Sequence, residues 1–412
     1  MARERQRSSS DDDAKKKQLM ELPNDTLVDI LLRLPAKSVG CIKCVSKTLL
    51  NMVSNISFST LHTRSLIATN SAAADQVPRL MCCSREVLLV TLQSLKYKDN
   101  TLTEGRYAIT ISSSTPCFMR FVFCNVFCLG TKNGDCMLVN GLGERGLLRL
   151  PESSFATLES GPNVYRNSQF GMGFDDKTNT YKIVCVTHET DADHQLKSMT
   201  THVLVLGTNL WRQISSPPPC ELNWIHRAPV CANGAVHWWT GSTFWDDRRI
   251  VSFDLRREEF CWTPTPHHYL DSDISLFSLR GCLAMVETKR SRSQMEIWVL
   301  KNFDEKQWVR YYYNNKLPDD FSFQGSPGEW EHGIFFTSHN FCKTWVSFID
   351  LRFGSISRVE YSSYEVVHYE YTEIGVSSYI ETFLLGIYSY SETLISLKDY
   401  GDLEEANQKV IT

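Results

Sequence analysis

No stretch of the 412-residue sequence stays apolar over a membrane-spanning length; the run from Cys117 to Gly130 is broken by Arg120 and Asn125, so no bilayer span is expected. The first residues, Met1-Ala2-Arg3-Glu4, and the polar run through Lys17 lack the apolar core of a secretory signal. Cytoplasm and/or nucleus are therefore the expected locations, with the fourteen cysteines reduced. Charge is scarce in net terms, -4 overall, and a chain without a basic field has no general means of holding a polyanion. Neither a nucleic acid nor a membrane is expected as partner.

Catalytic signatures are equally thin. There is no Gly-x-Ser-x-Gly, no phosphate loop, and no acid pair with a visible partner. Gly171-x-Gly173 lacks the third glycine and following helix of a dinucleotide site. Cys41-x-x-Cys44 has zinc-like spacing, but no second Cys or His pair stands near it to complete four ligands. The polar run His188-Glu189-Thr190-Asp191-Ala192-Asp193-His194 reads as a solvated loop between strands. Cys82-Cys83 and Cys124/Cys128 read as small apolar residues on strands. No metal and no cofactor are expected.

What is present begins with residues 22–62. Leu27, Ile30, Leu31 and Leu34 fall at i, i+3, i+4 and i+7, the recurrence that lines one face of a helix. Asn24 is placed to cap it, Asp25 puts negative charge at its positive end, and Pro35 stops it. A second run carries Val39, Ile42 and Val45. A third carries Leu49, Leu50, Met52 and Val53 before the polar Ser54-Asn55 break. Three short helices in about forty residues are near the lower limit for a self-sufficient core, which implies docking on something else.

The blocks Leu22-Pro23, Ile30-Leu31, Leu34-Pro35, Lys37-Ser38 and Lys43-Cys44-Val45-Ser46-Lys47 resemble, in order and spacing, the F-box, the adaptor-binding motif of substrate receptors in cullin-type ubiquitin ligases. The pattern departs at two places: Leu49 stands where the motif usually has Trp, and Cys41-Ile42 where it has a basic-aromatic pair. The resemblance implies an adaptor-binding face built from Leu22, Pro23, Leu27, Ile30, Leu31, Leu34, Pro35, Val39, Ile42, Val45 and Leu49. It gives residues 19–64 to the F-box; by composition residues 1–18 are expected to be a disordered tail and the Ala/Ser/Thr/Asn-rich 65–76 a linker.

From Val77 onward short apolar-polar alternations are separated by Gly, Asn, Asp and Pro, the texture of an all-β domain. A Gly opening an apolar strand appears at Gly234, Gly281, Gly333 and Gly386, at intervals of 47, 52 and 53 residues. Out of phase with it, strands end at Leu206, Leu255, Leu300 and Leu351, and each Leu is followed after a turn by Trp211, Phe260, Trp308 or Ile356. Two phased markers with one period match the blades of a β-propeller, since a blade with two apolar faces needs neighbours on both sides. Weaker copies stand around Val87 to Leu92 and Met137 to Leu150, giving six blades. The strand at Gly386, with Leu394-Ile395-Ser396-Leu397 behind it, is expected to pair with the first outer strands and close the ring.

Gly171-Met172-Gly173-Phe174-Asp175, Tyr181-Lys182-Ile183-Val184, Trp211-Arg212, Ser252-Phe253-Asp254 and Ile297-Trp298-Val299 also resemble the F-box-associated, kelch-like repeats of plant F-box proteins. One turn differs, Asn140-Gly141 standing where Asn-Pro is common. The expectation is thus a multidomain protein: a small all-α F-box of three short helices, then an all-β kelch-like propeller of six blades over residues 77–412. By resemblance it is the substrate-recognition subunit of an SCF-type ubiquitin ligase, non-catalytic, binding a Skp-type adaptor and through it cullin, with an unidentified target on the propeller. The competing expectation is a propeller hydrolase or carbohydrate-binding protein with a helical cap. For target contact the sequence offers Trp238, Trp239, Trp245 and Trp330, aromatics in Gly/Ser/Asp-rich surroundings.

Overall fold

The computed structural model describes residues 22–68 and 78–410, apart from short breaks at 87–88, 132–133, 143–145, 154, 156–158, 161–163, 192–194, 223–227, 241–248, 267–272, 290–292, 318–326, 341–342, 362–369, 373–374 and 378–381. The chain divides into two compact units, residues 1–76 and 77–412. The tail at 1–18 lies outside the described residues.

Among the described residues the first unit shows four helices where the sequence suggested three: α1 Asn24–Leu32, α2 Ala36–Ile42, α3 Lys47–Val53 and α4 Ile56–Ala68. Asn24 does not cap α1. Pro23 holds the cap position at φ -53, with no side-chain bond, and its carbonyl accepts from Leu27 N at 3.0 Å; proline presets the torsion and has no N–H to leave unpaired. Pro35 does the same for α2. Ser46 caps α3 by accepting from Leu49 N at 3.2 Å. Asn55, read from sequence as a break, caps α4 through Ser57 N at 2.8 Å.

Helix α4 escaped the periodicity reading because its buried positions are Phe58, Ser59, Thr60, His62 and Thr63, mostly polar. The hydroxyls of Ser59 and Thr60 donate to Ile56 O and that of Thr63 to Ser59 O, so the helix satisfies its own buried hydroxyls. His62 Nε2 lies 2.8 Å from Leu34 O, joining α4 to the end of α1. Burial holds this imidazole below its ordinary pKa. Residues 65–68 of the expected linker complete α4.

The second unit is a closed ring of six blades, each an antiparallel sheet. Blade 2 runs Cys117–Phe123, Val126–Thr131, Cys136–Asn140, Leu147–Arg149 from the axis outward. Blade 3 runs Val164–Asp175, Thr180–Asp191, Leu196–Val205, Arg212–Ile214, with the two-residue strand Glu159–Ser160 paired on the free edge of Val164–Asp175. Blade 4 runs Val230–Ala232, Ala235–Trp239, Ile250–Asp254, Glu259–Thr263. Blade 5 runs Asp273–Leu279, Cys282–Lys289, Gln294–Asn302, Gln307–Asn314. Blade 6 runs Gly328–Trp330, Gly333–Asn340, Lys343–Asp350, Ile356–Tyr361.

Blade 1 joins the two ends of the domain. Its innermost strand is Thr382–Tyr390, followed outward by Arg79–Glu86, Leu89–Lys98 and Thr101–Ser112, with Asn407–Val410 on the outer edge. Thr382–Tyr390 touches the innermost strands of both blade 2 and blade 6, which shuts the ring. The route of closure differs from the sequence expectation. Residues 394–397 are not a strand; they cross onto blade 2, where Asn125 Nδ2 and Asn140 Nδ2 both donate to Ile395 O, at 3.1 and 3.0 Å.

The Leu markers stand at the outgoing end of the third strand of blades 3 to 6, Leu206, Leu255 and Leu351 just past it and Leu300 within its last residues; Gly234 and Gly281 immediately precede the second strand and Gly333 starts it. Gly386 is a coincidence of spacing. It sits inside Thr382–Tyr390 at a register shift against Cys83/Ser84, with φ +155, and a Cβ there would stand 2.9 Å from the Tyr388 ring. Gly171 and Gly173 serve packing: their absent side chains admit Val236 and Leu255 of blade 4, which an added Cβ would meet at 2.5 and 2.3 Å.

Apolar clusters fill the blade interfaces, such as Val184, Val236, Trp238 and Phe253 between blades 3 and 4, and Val286, Ile297, Ile334 and Phe336 between blades 5 and 6. Because these interfaces lie within residues 77–412, a fragment starting at Val77 is expected to be a soluble β-rich monomer with one cooperative melt. Circular dichroism of that fragment tests this; an unfolded spectrum would make the helices part of the propeller core.

Candidate functional site

Helix α1 packs on α4, and α3 packs on both α2 and α4. That arrangement divides the apolar residues expected to meet an adaptor. Leu27, Leu31, Val39 and Leu49 are buried, each at 2 % exposure or less, so they hold the helices together and are not free to touch a partner. Leu49, which stands at the motif's usual Trp position, belongs to this core. Leu22, Leu34, Pro35 and Ile42 are partly buried, and Pro23 is exposed. Ile30 and Val45 are open to solvent at 41 and 44 %. Leu50, Ile56 and Leu61 are exposed as well and were absent from the sequence-derived face. Among the described residues of this unit, five large aliphatics, on α1, the turn after α2, α3 and α4, are thus open to a partner.

Of the tryptophans, Trp238 and Trp239 are buried at 2 and 4 %, packed in the clusters against blades 3 and 5 respectively. They are core residues of the two blade interfaces, where each indole buries a large apolar area. Trp245 lies outside the described residues. Of the three described, Trp330 reaches a concave surface. It stands edge-on to Tyr97 and Phe348, with ring centres 5.4 and 5.3 Å away, and lines a cleft of about 230 Å³ between blades 5 and 6 together with Arg280, Tyr311, Tyr312, Glu329 and His332.

His188 to Asp191 are strand residues of blade 3, not loop. His188 is buried, which lowers its pKa. Glu189 bonds Arg166 and accepts from Ser198 Oγ at 3.0 Å. Cys41 and Cys44 are both exposed, and among the described residues no three His, Cys, Asp or Glu side chains converge as metal ligands would. His237, in blade 4, is fully enclosed between Ser252 Oγ at 2.7 Å and Ala232 O at 3.1 Å, and burial drives its pKa down to about 3. It is a neutral core histidine. Burial likewise pushes the Cys82 thiol up to about 11, which makes it a packing residue rather than a nucleophile.

Comparison with known proteins agrees with this anatomy. Residues 19–61 match the F-box domain, and residues 79–379 match the F-box associated beta propeller domain. An F-box protein of Arabidopsis thaliana is 26% identical over 306 residues, covering 70% of this chain and 71% of its own. A second is 26% identical over 307 residues, with 71% of each chain covered. An F-box/kelch-repeat protein of the same plant is 24% identical over 299 residues, covering 69% of this chain and 76% of its own. The second match alone spans well over half of the chain, and the protein belongs to the F-box associated β-propeller family, with an F-box domain ahead of the propeller.

Proposed function

We propose that this protein is the substrate-recognition subunit of an SCF-type ubiquitin ligase, working in the cytoplasm and/or nucleus. The exposed aliphatics of the helical unit dock on a Skp-type adaptor and through it on cullin, while the propeller holds a target protein. The chain itself does no covalent chemistry. Its contribution to rate is proximity: a target held beside the charged ubiquitin-carrying enzyme reacts as if intramolecularly, and effective concentration replaces random encounter. The observation that carries this reading is the pairing of an F-box unit whose Ile30 and Val45 remain uncovered with a separate, closed propeller.

The buried and exposed positions of α1 give the test its resolution. Ile30→Ala with Val45→Ala removes contact area without opening the helical core. It is expected to cost on the order of 2 kcal/mol of adaptor binding, more than tenfold in affinity, with an unchanged helical spectrum. Leu31→Ala acts differently, destabilising the unit itself by about 2–5 kcal/mol. Calorimetric titration of purified adaptor into each full-length variant separates the two. Undiminished binding by the double variant would remove the adaptor from this face.

A further inference from the structure

The cleft between blades 5 and 6 is built from three local departures that agree in direction. The first is in the hairpin joining the first two strands of each blade. In blade 4 that turn is Asn233-Gly234, with φ +52 and +69, the pair that such two-residue turns favour. In blade 5 the same turn is Arg280-Gly281, with φ +51 and +73. An arginine is held in the left-handed region where asparagine would be easier, a form of strain that collects at functional sites. Its guanidinium is exposed, lies over the Tyr311 ring with 6.0 Å to the ring centre, and forms no ion pair among the described residues.

The second departure is a β-bulge in the outer strand of blade 5. Ile297 pairs with Tyr312 and Trp298 with Arg310, so Tyr311 is an extra residue. Consecutive strand residues normally face opposite sides. The bulge turns both Tyr311 and Tyr312 into the cleft wall. The third is Glu329, on the innermost strand of blade 6, whose carboxylate accepts from Arg280 N at 2.8 Å.

We propose that this cleft is the target-recognition site, and that it takes an acidic side chain of the target protein between Arg280 and Glu329, with an apolar neighbour lying on Tyr311 and Phe353. Phe353, 79 % exposed, projects from the blade 6 turn that also lines the cleft. A volume of about 230 Å³ falls below the roughly 300–1,000 Å³ of small-molecule pockets and suits one or two side chains. Tyr, Trp and Arg are also the residues that dominate protein interfaces. The assignment rests on the receptor reading above.

Electrostatics supports the acidic choice. Burial pushes the Glu329 carboxyl up to about 7, against the opposing bond and charge of Arg280. The other charged or titratable groups around it are Glu331 beside His332 at 3.5 Å, Arg352 paired with Asp350 at 2.7 Å, and the two tyrosines. As pH falls below about 7 Glu329 becomes increasingly neutral, leaves Arg280 uncompensated and can donate a proton to an incoming carboxylate. Above pH 7 its charge repels one.

The test is selection of a random 12-residue displayed peptide library on the full-length protein, followed by anisotropy titration of the recovered peptides. Expected are peptides carrying Asp or Glu beside an apolar residue, weakening severalfold from pH 6 to pH 8. That pH dependence should vanish in Glu329→Gln and persist in His332→Gln. Arg280→Asn gives blade 5 the turn of blade 4, so its melting temperature should hold or rise while peptide affinity falls at least tenfold. Adaptor binding, measured on the same variants, should not move, which separates this site from the receptor reading. Recovery of basic peptides, of none, or of peptides that bind Arg280→Asn as well as wild type would overturn the proposal.

Discussion

A chain that stops at Ile380 is expected to give no soluble β domain at all, although it retains most of the propeller sequence. The missing strand, Thr382–Tyr390, is nine residues long and innermost in blade 1, paired with Arg79–Glu86 and touching blades 2 and 6. Ile387 is part of the core shared with blade 6, and Tyr390 of the core shared with blade 2. Each such side chain contributes about 1.5–3 kcal/mol by burial, and the strand's hydrogen bonds and the ring's closure go with it. A native margin of about 5–15 kcal/mol does not survive that loss, and the bared edge of Arg79–Glu86 invites aggregation. A chain stopping at Glu405 is the control. It keeps the strand, the bonds from Asn125 and Asn140 to Ile395, and the Arg149–Glu404 pair at 2.7 Å, and loses only the outer strand Asn407–Val410. Its yield and melting should stay near wild type. A cooperative wild-type-like melt from the shorter truncation would rule out dependence on closure.

The propeller was legible because its period is written twice, in the Gly at the start of the second strand, Gly234, Gly281 and Gly333, and in the Leu at the end of the third. Closure was only half legible. Spacing pointed to a strand near Gly386, but the glycine is there for a bulge, and the segment 394–397 reads as a strand by composition while serving as a polar latch on blade 2. In the helical unit, periodicity found α1 yet could not apportion Ile30 and Leu31, adjacent and both aliphatic, between surface and core. It missed α4 because that helix buries hydroxyls bonded to its own carbonyls. The cleft was invisible for another reason: Arg280 comes from a hairpin turn and Tyr311 from a strand of blade 5, and Glu329 from a strand of blade 6. The sequence did carry a faint signal of it. Arg280-Gly281 replaces the Asn-Gly of the preceding blade, and Tyr311-Tyr312-Tyr313 breaks the alternation that a regular strand would keep.

Lys182→Met is expected to cost about 3–5 kcal/mol, the range for removing one partner of a buried ion pair. The ammonium of Lys182, 6 % exposed, contacts Asp175 at 2.7 Å and Glu258 at 2.8 Å and donates to Leu255 O at 2.9 Å, tying blade 3 to blade 4. Asp175 is fully buried. Without Lys182 it keeps its bonds from Lys177 N and from Thr178 but has no counter-charge. Glu258 keeps Arg212 at 2.6 Å, so most of the damage falls on Asp175. Adding Asp175→Asn to Lys182→Met removes the stranded charge and should restore part of the loss, whereas two independent defects would add. The same pair predicts acid sensitivity. Burial alone would raise the Asp175 and Glu258 carboxyls, but the bonds and charge of Lys182, with Thr178 on one and Arg212 on the other, hold both below their ordinary values. A depressed folded pKa stabilises above the unfolded value, about 4 for these groups, and that stability drains away as pH falls through the folded pKa. Wild type should therefore lose stability steadily below about pH 4, and the double variant should lose less over the same interval. Urea midpoints from pH 7 to pH 3 measure both effects. A Lys182→Met midpoint matching wild type, or a double variant that is simply worse by the sum, would mean that the pair contributes no more than a surface bridge.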